Sequence, residues 1–182
     1  MSMIINGTRV LISEARLSYA NVWEPKSING NDPKYSVSLI ISKDDKEAIK
    51  VIENAIDVAI KEGVGKFGGK IPNKGALKLP LRDGDVEKED VAYENAYFIN
   101  ANSKIAPQIV DSKRHAISDQ SEVYSGCFAS VTISFYAFNV NGNRGVACSL
   151  GNIMKLRDGE VLGGKVNAAD DFGTAEDDEF LR

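Results

Sequence analysis

Histidine is nearly missing from this chain: His115 is the only one among 182 residues, and cysteine is confined to Cys127 and Cys148. A zinc cage needs four nitrogen or sulfur ligands at suitable spacing, and a histidine-based catalytic set needs positioned partners, so neither can be assembled from the usual residues. The two cysteines stand far apart in apolar, strand-like runs and read as buried, reduced thiols. No apolar run approaches the ~20 residues that cross a bilayer. The opening MSMIINGTRVLISEARL has no basic start, apolar stretch or small-residue cleavage site, so the expectation is a protein of the cytoplasm. No cofactor and no metal are implied.

What the chain does have is an uneven charge. The formal charge is −4. From Ala168 onward there are six acids (Asp170, Asp171, Glu176, Asp177, Asp178, Glu179) and one base, Arg182, a net −5 that leaves the body at +1. Two segments are therefore expected: a domain over 1–167 and a flexible acidic tail over 168–182. Solvating acidic tails are poor in aromatics because nothing there buries them, yet Phe172 and Phe180 lie inside this one.

The body reads mainly as strands. KYSVSLIIS alternates, with Tyr35, Val37, Leu39 and Ile41 on one face. In ASVTISFYAF, Ala129, Val131, Ile133, Phe135 and Ala137 point one way; Tyr136 and Phe138 end the opposite, polar face. TRVLISEARLSYANVW, AYFINANS and GVACSLGNIMKL supply further strands, and NGNR (Asn141–Arg144) signals a hairpin. One helix is expected, capped by Ser42, carrying Ile49, Ile52, Ile56 and Ile60 as its apolar stripe and ending at Gly63. The repeated tetrapeptide Leu-Arg-Asp-Gly, at 81–84 and 156–159, reads as two tight turns in which glycine supplies a positive φ. Strands separated by turns, with one inserted helix, point to a small barrel or sandwich.

Gly63–Arg82 carries five bases (Lys66, Lys70, Lys74, Lys78, Arg82), five glycines and no acid. It is not a nucleotide P-loop, because Gly69 stands where the lysine would follow and the segment trails a helix instead of leading into one. A cationic loop remains. Carboxylates at Asp83, Asp85, Glu87 and Asp90 could hold Mg²⁺ in a nuclease, but acids so close together in one loop read more simply as a solvated turn. Single strands require cations that track phosphates and aromatic faces on which bases stack. Lys34, Lys66, Lys70, Lys74, Lys78, Arg82 and Arg144 are the candidate phosphate contacts; Trp23, Tyr136 and Phe138 are the candidate stacking faces.

The ordered fragments Trp23-Glu24-Pro25, Pro33-Lys34-Tyr35-Ser36-Val37, Leu81-Arg82-Asp83-Gly84-Asp85, Phe98-x-Asn100-Ala101, Pro107-x-Ile109-Val110-Asp111, Tyr124-Ser125-Gly126, and Phe135-Tyr136 through Gly145-Val146-Ala147 resemble a family of phage-encoded single-stranded DNA-binding proteins. The resemblance implies an OB-fold, a Greek-key barrel that binds single strands across one face in phage replication or recombination within the host-cell cytoplasm. A tethered −5 segment, here Asp170, Asp171, Phe172, Asp177, Asp178, Glu179 and Phe180, can compete with DNA for a cationic groove, and the resemblance implies that it recruits replication or recombination proteins. In this chain Leu181 and Arg182 follow Phe180, so the last aromatic is not terminal. A homodimer is compatible with the sequence, which does not fix the oligomeric state. The rival readings are a Mg²⁺-dependent nuclease and a protein-binding module or DNA mimic acting through the tail.

Overall fold

The computed structural model describes residues 1–27 and 30–162. Its strands are β1 (Met3–Asn6), β2 (Arg9–Lys26), β3 (Lys34–Ser42), β4 (Arg82–Asp83), β5 (Ala96–Ser103), β6 (Ile109–Val110), β7 (Phe128–Val140) and β8 (Asn143–Arg157). Two α-helices, α1 (Lys46–Glu62) and α2 (Gly84–Glu87), and four short 3₁₀ turns complete the described residues. The sheet runs β4-β5-β3-β2-β7-β8-β6, with β1 added beside β2. A parallel contact between β5 and β8, Asn102 opposite Ser149, joins the path back on itself. Five strands (β2, β3, β5, β7, β8) thus form a closed barrel, the expected OB-fold.

The alternation read from the sequence sets what faces inward. Val37, Leu39 and Ile41 of β3 meet Val131, Ile133 and Phe135 of β7 in one core, and both cysteines are buried there. Burial pushes both thiols up from their ordinary range, away from reactivity. The helix α1 closes one side of the barrel by burying Ala48, Ile52, Ala55, Ile56, Ala59 and Ile60. Each buried isoleucine contributes about 1.5–3 kcal/mol relative to exposure. The helix starts later than the sequence suggests. Asp45, not Ser42, is the N-cap, its carboxylate accepting from Ala48 N at 3.1 Å, while the Ser42 hydroxyl accepts from Asp44 N just ahead of it.

The hairpin between β7 and β8 turns at Asn141 (φ 52°) and Gly142 (φ 84°), the left-handed pair that a two-residue turn requires. The two Leu-Arg-Asp-Gly segments behave differently from expectation. Arg82 and Asp83 form β4, and Asp83 caps α2 by accepting from Asp85 N. Neither Gly84 nor Gly159 has a positive φ; each is needed for close approach. A Cβ on Gly84 would lie 2.4 Å from Tyr93 O, and one on Gly159 would lie 2.1 Å from Gly126 O.

A second apolar cluster sits outside the barrel. Ile40, Tyr93, Ala96 and Phe98 pack together on the outward side of β3 and β5. Tyr93 and Phe98 meet edge to face at 5.3 Å, and the buried Tyr93 hydroxyl donates to Ser38 Oγ at 3.1 Å. This cluster is the foundation of the site described next.

Candidate nucleic-acid interface

Beyond that cluster, the outward positions of β3 and β5 are short and polar. Register places Ser38 opposite Asn100 and Ser36 opposite Asn102, and Asn21 of β2 opposite Ser36. Small side chains here leave a cleft of about 410 Å³ over the strands, walled by Tyr19, Lys26 and Lys88. Lys26, Ser36 and Asn102 also line a neighbouring cleft with Lys34. Tyr19, Asn21 and Lys26 extend the groove the other way, to Tyr124 and Ser125. Groove, cations and an aromatic wall therefore run continuously across one side of the barrel.

Tyr19 is the most unusual residue in it. Pairing of β2 with β3 shifts between Ser18 and Asn21, and Tyr19 takes φ 46° within that irregularity. A left-handed tyrosine is uncommon and persists only where neighbours determine it. Those neighbours are present: Ala20 N donates to Ser125 Oγ at 2.9 Å, and the Asn21 amide donates to Tyr19 O at 3.2 Å and Ser36 Oγ at 3.3 Å. The ring is left 64% exposed at the groove. Lys88, just past α2, supports it with its ammonium 5.3 Å from the Tyr19 ring centroid, 5.4 Å from Tyr93 and 5.3 Å from Phe98. Such a cation is attracted by the ring faces.

The residues expected to bind phosphates and bases fall into two groups. Lys34 lies at one end of the groove, across from Lys26 in register. Arg82 sits over Phe98 at 5.4 Å and pairs with Glu87. The others gather where the cationic loop meets the β7–β8 hairpin. Lys66 donates to Ala137 O at 2.9 Å, and Asn139 holds Lys66 O in return. Lys78 pairs its backbone with Gly145 and reaches Asn143 Oδ1 at 3.4 Å; Lys74 pairs with Asp57. Lys70 is exposed, with no hydrogen bond or ion pair among the described residues. Arg144, Tyr136 (45% exposed) and half-buried Phe138 lie on the same hairpin. Arg82 connects the two groups, since it shares the Phe98 ring with Lys88 and a cleft with Lys78.

Trp23 is placed differently from the other two aromatics. Its indole donates to Val123 O at 2.9 Å and packs against the barrel core, at a separate apolar cleft. The tail residues Asp170, Asp171, Phe172, Asp177, Asp178, Glu179 and Phe180 lie outside the described residues. Of the acids considered for Mg²⁺, Asp83 and Asp85 share one cation and Glu87 pairs with Arg82. Lys43 Nζ stands 2.7 Å from both Asp83 Oδ1 and Asp85 Oδ2. These hydrogen bonds, the one to Asp83 first, hold Lys43 above its ordinary range. Lys43, and then the Asn95 N–H, hold Asp85 below the usual carboxylate range.

Tyr19, Lys88, Asn100 and Asn102, which line the groove, are not among the candidates that the sequence offers. Strict alternation along Arg16-Leu17-Ser18-Tyr19 puts Tyr19 on the side of buried Leu17; the bulge reverses it. Lys88 was hidden in a segment that reads as an acidic turn.

Comparison with known proteins bears on the family and the fold. Residues 8–181 match the family described as Enterobacter phage Enc34, ssDNA-binding protein. Protein p50 of Acyrthosiphon pisum secondary endosymbiont phage 1 is 29% identical over 186 residues, covering 95% of this chain and 98% of that one. The single-stranded DNA-binding protein of bacteriophage Enc34 superposes with a TM-score of 0.72 at 26% identity, over 91% of this chain and 90% of that one. Its complex with single-stranded DNA gives 0.75 at 24%, over 86% and 90%. The fold alone extends to gp2.5 of bacteriophage T7, a single-stranded DNA-binding protein, with a TM-score of 0.63 at 16% identity, over 92% and 95%. A match spanning almost the whole chain, on a closed barrel that carries an aromatic and cationic groove, means that this chain belongs to the Enc34 family of phage single-stranded DNA-binding proteins.

Proposed function

We propose that this chain binds single-stranded DNA without catalysing a reaction on it, and coats unwound strands during phage replication or recombination. The observation that carries the reading is Tyr19: an exposed ring, held in a left-handed backbone over Lys88, at the wall of a groove floored by serine and asparagine. Stacking on one aromatic face is worth about 1–3 kcal/mol per base and tolerates any sequence. Lys26, Lys34 and Lys88 supply phosphate contacts along the groove. The track continues past Arg82 to Lys78, Lys70, Arg144, Tyr136 and Phe138 at the hairpin. The acidic tail competes for these cations when DNA is absent and is presented to replication proteins when DNA displaces it.

The test is a titration of fluorescent oligo-dT by the full chain across a range of salt, with a parallel incubation of the oligonucleotide with Mg²⁺. Binding that weakens linearly in log K against log salt, with the oligonucleotide left intact, is the expected result. Cleavage would favour a nuclease, and lack of binding would favour a protein-binding module. The nuclease is disfavoured by Lys43, whose ammonium occupies the space between Asp83 and Asp85 that a metal ion would need.

A further inference from the structure

We infer that the apolar cleft beside Trp23 is the seat of Phe172 from the same chain. The cleft holds about 380 Å³ and is lined chiefly by Val22, Trp23, Pro107, Ile109 and Ile117. It lies apart from the polar groove and takes no role in the DNA track described above. Its chemistry fits one aromatic side chain.

Three observations select the occupant. First, the cleft is within reach of the end of the described chain, which runs along the polar groove, where Val161 and Leu162 stand with Val123 and Ser125. Leu162 N donates to Ser125 O at 2.9 Å, and Val123, two residues before Ser125, accepts the indole hydrogen of Trp23. Phe172 stands ten residues beyond Leu162, a reach of at most about 35 Å, against about 7 Å of backbone separating Ser125 from Val123. Second, the tip of the loop next to the cleft is cationic. Val110 pairs with Ala116, and the loop between them exposes Lys113 and Arg114 at its tip. Asp111, at the base of that loop, accepts from the N–H groups of Lys113 and His115 and keeps its charge, and Glu24 adjoins Trp23, so the positive charge is local to the Lys113–Arg114 tip. Asp170 and Asp171 immediately precede Phe172 and would meet the two bases. Third, Phe180 is the poorer occupant. It needs a tether of eighteen residues, which lowers its effective concentration, and Arg182 would be brought towards Lys113 and Arg114.

This goes beyond the tail as an electrostatic competitor and stands whether or not the tail competes with DNA, so its test contains no DNA. Trp23 is the chain's one tryptophan and reports the cleft directly. The full chain is compared with full-length Phe172→Ala, Phe172→Leu and Phe180→Ala by tryptophan emission and acrylamide quenching, with far-ultraviolet circular dichroism to confirm an unchanged fold. The expected result is a red shift and loss of protection in Phe172→Ala, partial protection in Phe172→Leu, and no change in Phe180→Ala. Arg114→Glu shifts emission in the same direction as Phe172→Ala. An unchanged spectrum in Phe172→Ala overturns the seat, as does a change confined to Phe180→Ala. Protection of the unsubstituted chain that disappears on dilution would assign the cleft to another copy's tail and also overturn it.

Discussion

The Lys88 ammonium stands 5.3 Å from the ring centroid of Tyr19, so a cation from the segment after α2 supports an exposed ring presented by a bulge in β2. Neither residue explains the other's position alone. The ring is aimed by the backbone, and the lysine is fixed between Tyr19 and the buried cluster of Tyr93 and Phe98. The two variants therefore separate stacking from charge. Tyr19→Ala is expected to weaken oligo-dT binding by about tenfold, within the 1–3 kcal/mol range for one stacked base, with an unchanged salt slope. Tyr19→Phe keeps the affinity. Lys88→Gln lowers both the affinity and the salt slope, by about 0.7 for one lost phosphate contact. Anisotropy titrations at several salt concentrations measure all three. A Tyr19→Ala variant that binds like the unsubstituted chain would remove Tyr19 from the interface.

Gly84 is where local sequence was misleading and packing decides. A methyl at this position would meet Tyr93 O at 2.4 Å, Ala96 O at 2.8 Å and the Tyr93 side chain at 3.0 Å. Gly84→Ala is expected to cost about 1–3 kcal/mol, the range for forcing an extra methyl into a packed site. Because Tyr93 underlies Lys88, the same substitution lowers DNA affinity. Chemical denaturation and an oligo-dT titration on one preparation check both effects.

How far the sequence could be read follows from such cases. Period-two alternation identified the inward faces of β3 and β7, because successive side chains of a strand point to opposite sides. Asn-Gly identified the β7–β8 turn, because few residue pairs adopt its backbone. Closure of the barrel through Asn102 and Ser149 was not legible locally, since those residues are 47 apart. The lysines of Gly63–Arg82 were visible as a run, but their hydrogen bonds to Ala137 and Asn143 depend on strands 60 to 75 residues away. The sequence offers Trp23 as a stacking face, and it cannot show the Val123 carbonyl that holds the indole N–H or the separate apolar cleft beside the ring. Tyr19 was lost because a single irregular residue inverts the face of everything after it.

The bridge from Lys43 to Asp83 and Asp85 ties the start of α1 to α2 and gives a pH dependence with a definite sign. Asp85 is held below its ordinary range, so its contribution is present above the unfolded carboxylate pKa and is lost as pH falls through the folded value. Lys43 is held above its ordinary range, so its contribution is present below the unfolded lysine pKa and is lost as pH rises through the folded value. Between those limits the pair is constant. Lys43→Met should therefore lower Tm by the same amount from about pH 5 to pH 9, with the difference shrinking below about pH 4 as Asp85 protonates in both proteins. Thermal melts across pH measure it. A difference that changes steadily through neutral pH would mean that another group carries the effect.

The hairpin end of the track can be tested by choosing among its lysines according to their partners. Lys74 is paired with Asp57 and Lys66 with a backbone carbonyl, whereas Lys70, Lys78 and Arg144 form no ion pair among the described residues. An ion-paired lysine releases fewer counterions on binding, because its charge is already partly neutralised. Replacing Lys70, Lys78 and Arg144 together with glutamine should reduce the salt slope by about 2, as expected for three phosphate contacts on a single strand at about 0.7 each. Lys74→Gln should leave the slope nearly unchanged. Oligonucleotide length adds a second criterion. The triple variant should lose affinity for long oligo-dT and keep it for an oligomer short enough to fill only the groove beside Tyr19, because only the longer strand reaches past Arg82 to the hairpin. Equal losses at both lengths would place these three residues within the groove's own binding unit and contradict a track of two parts.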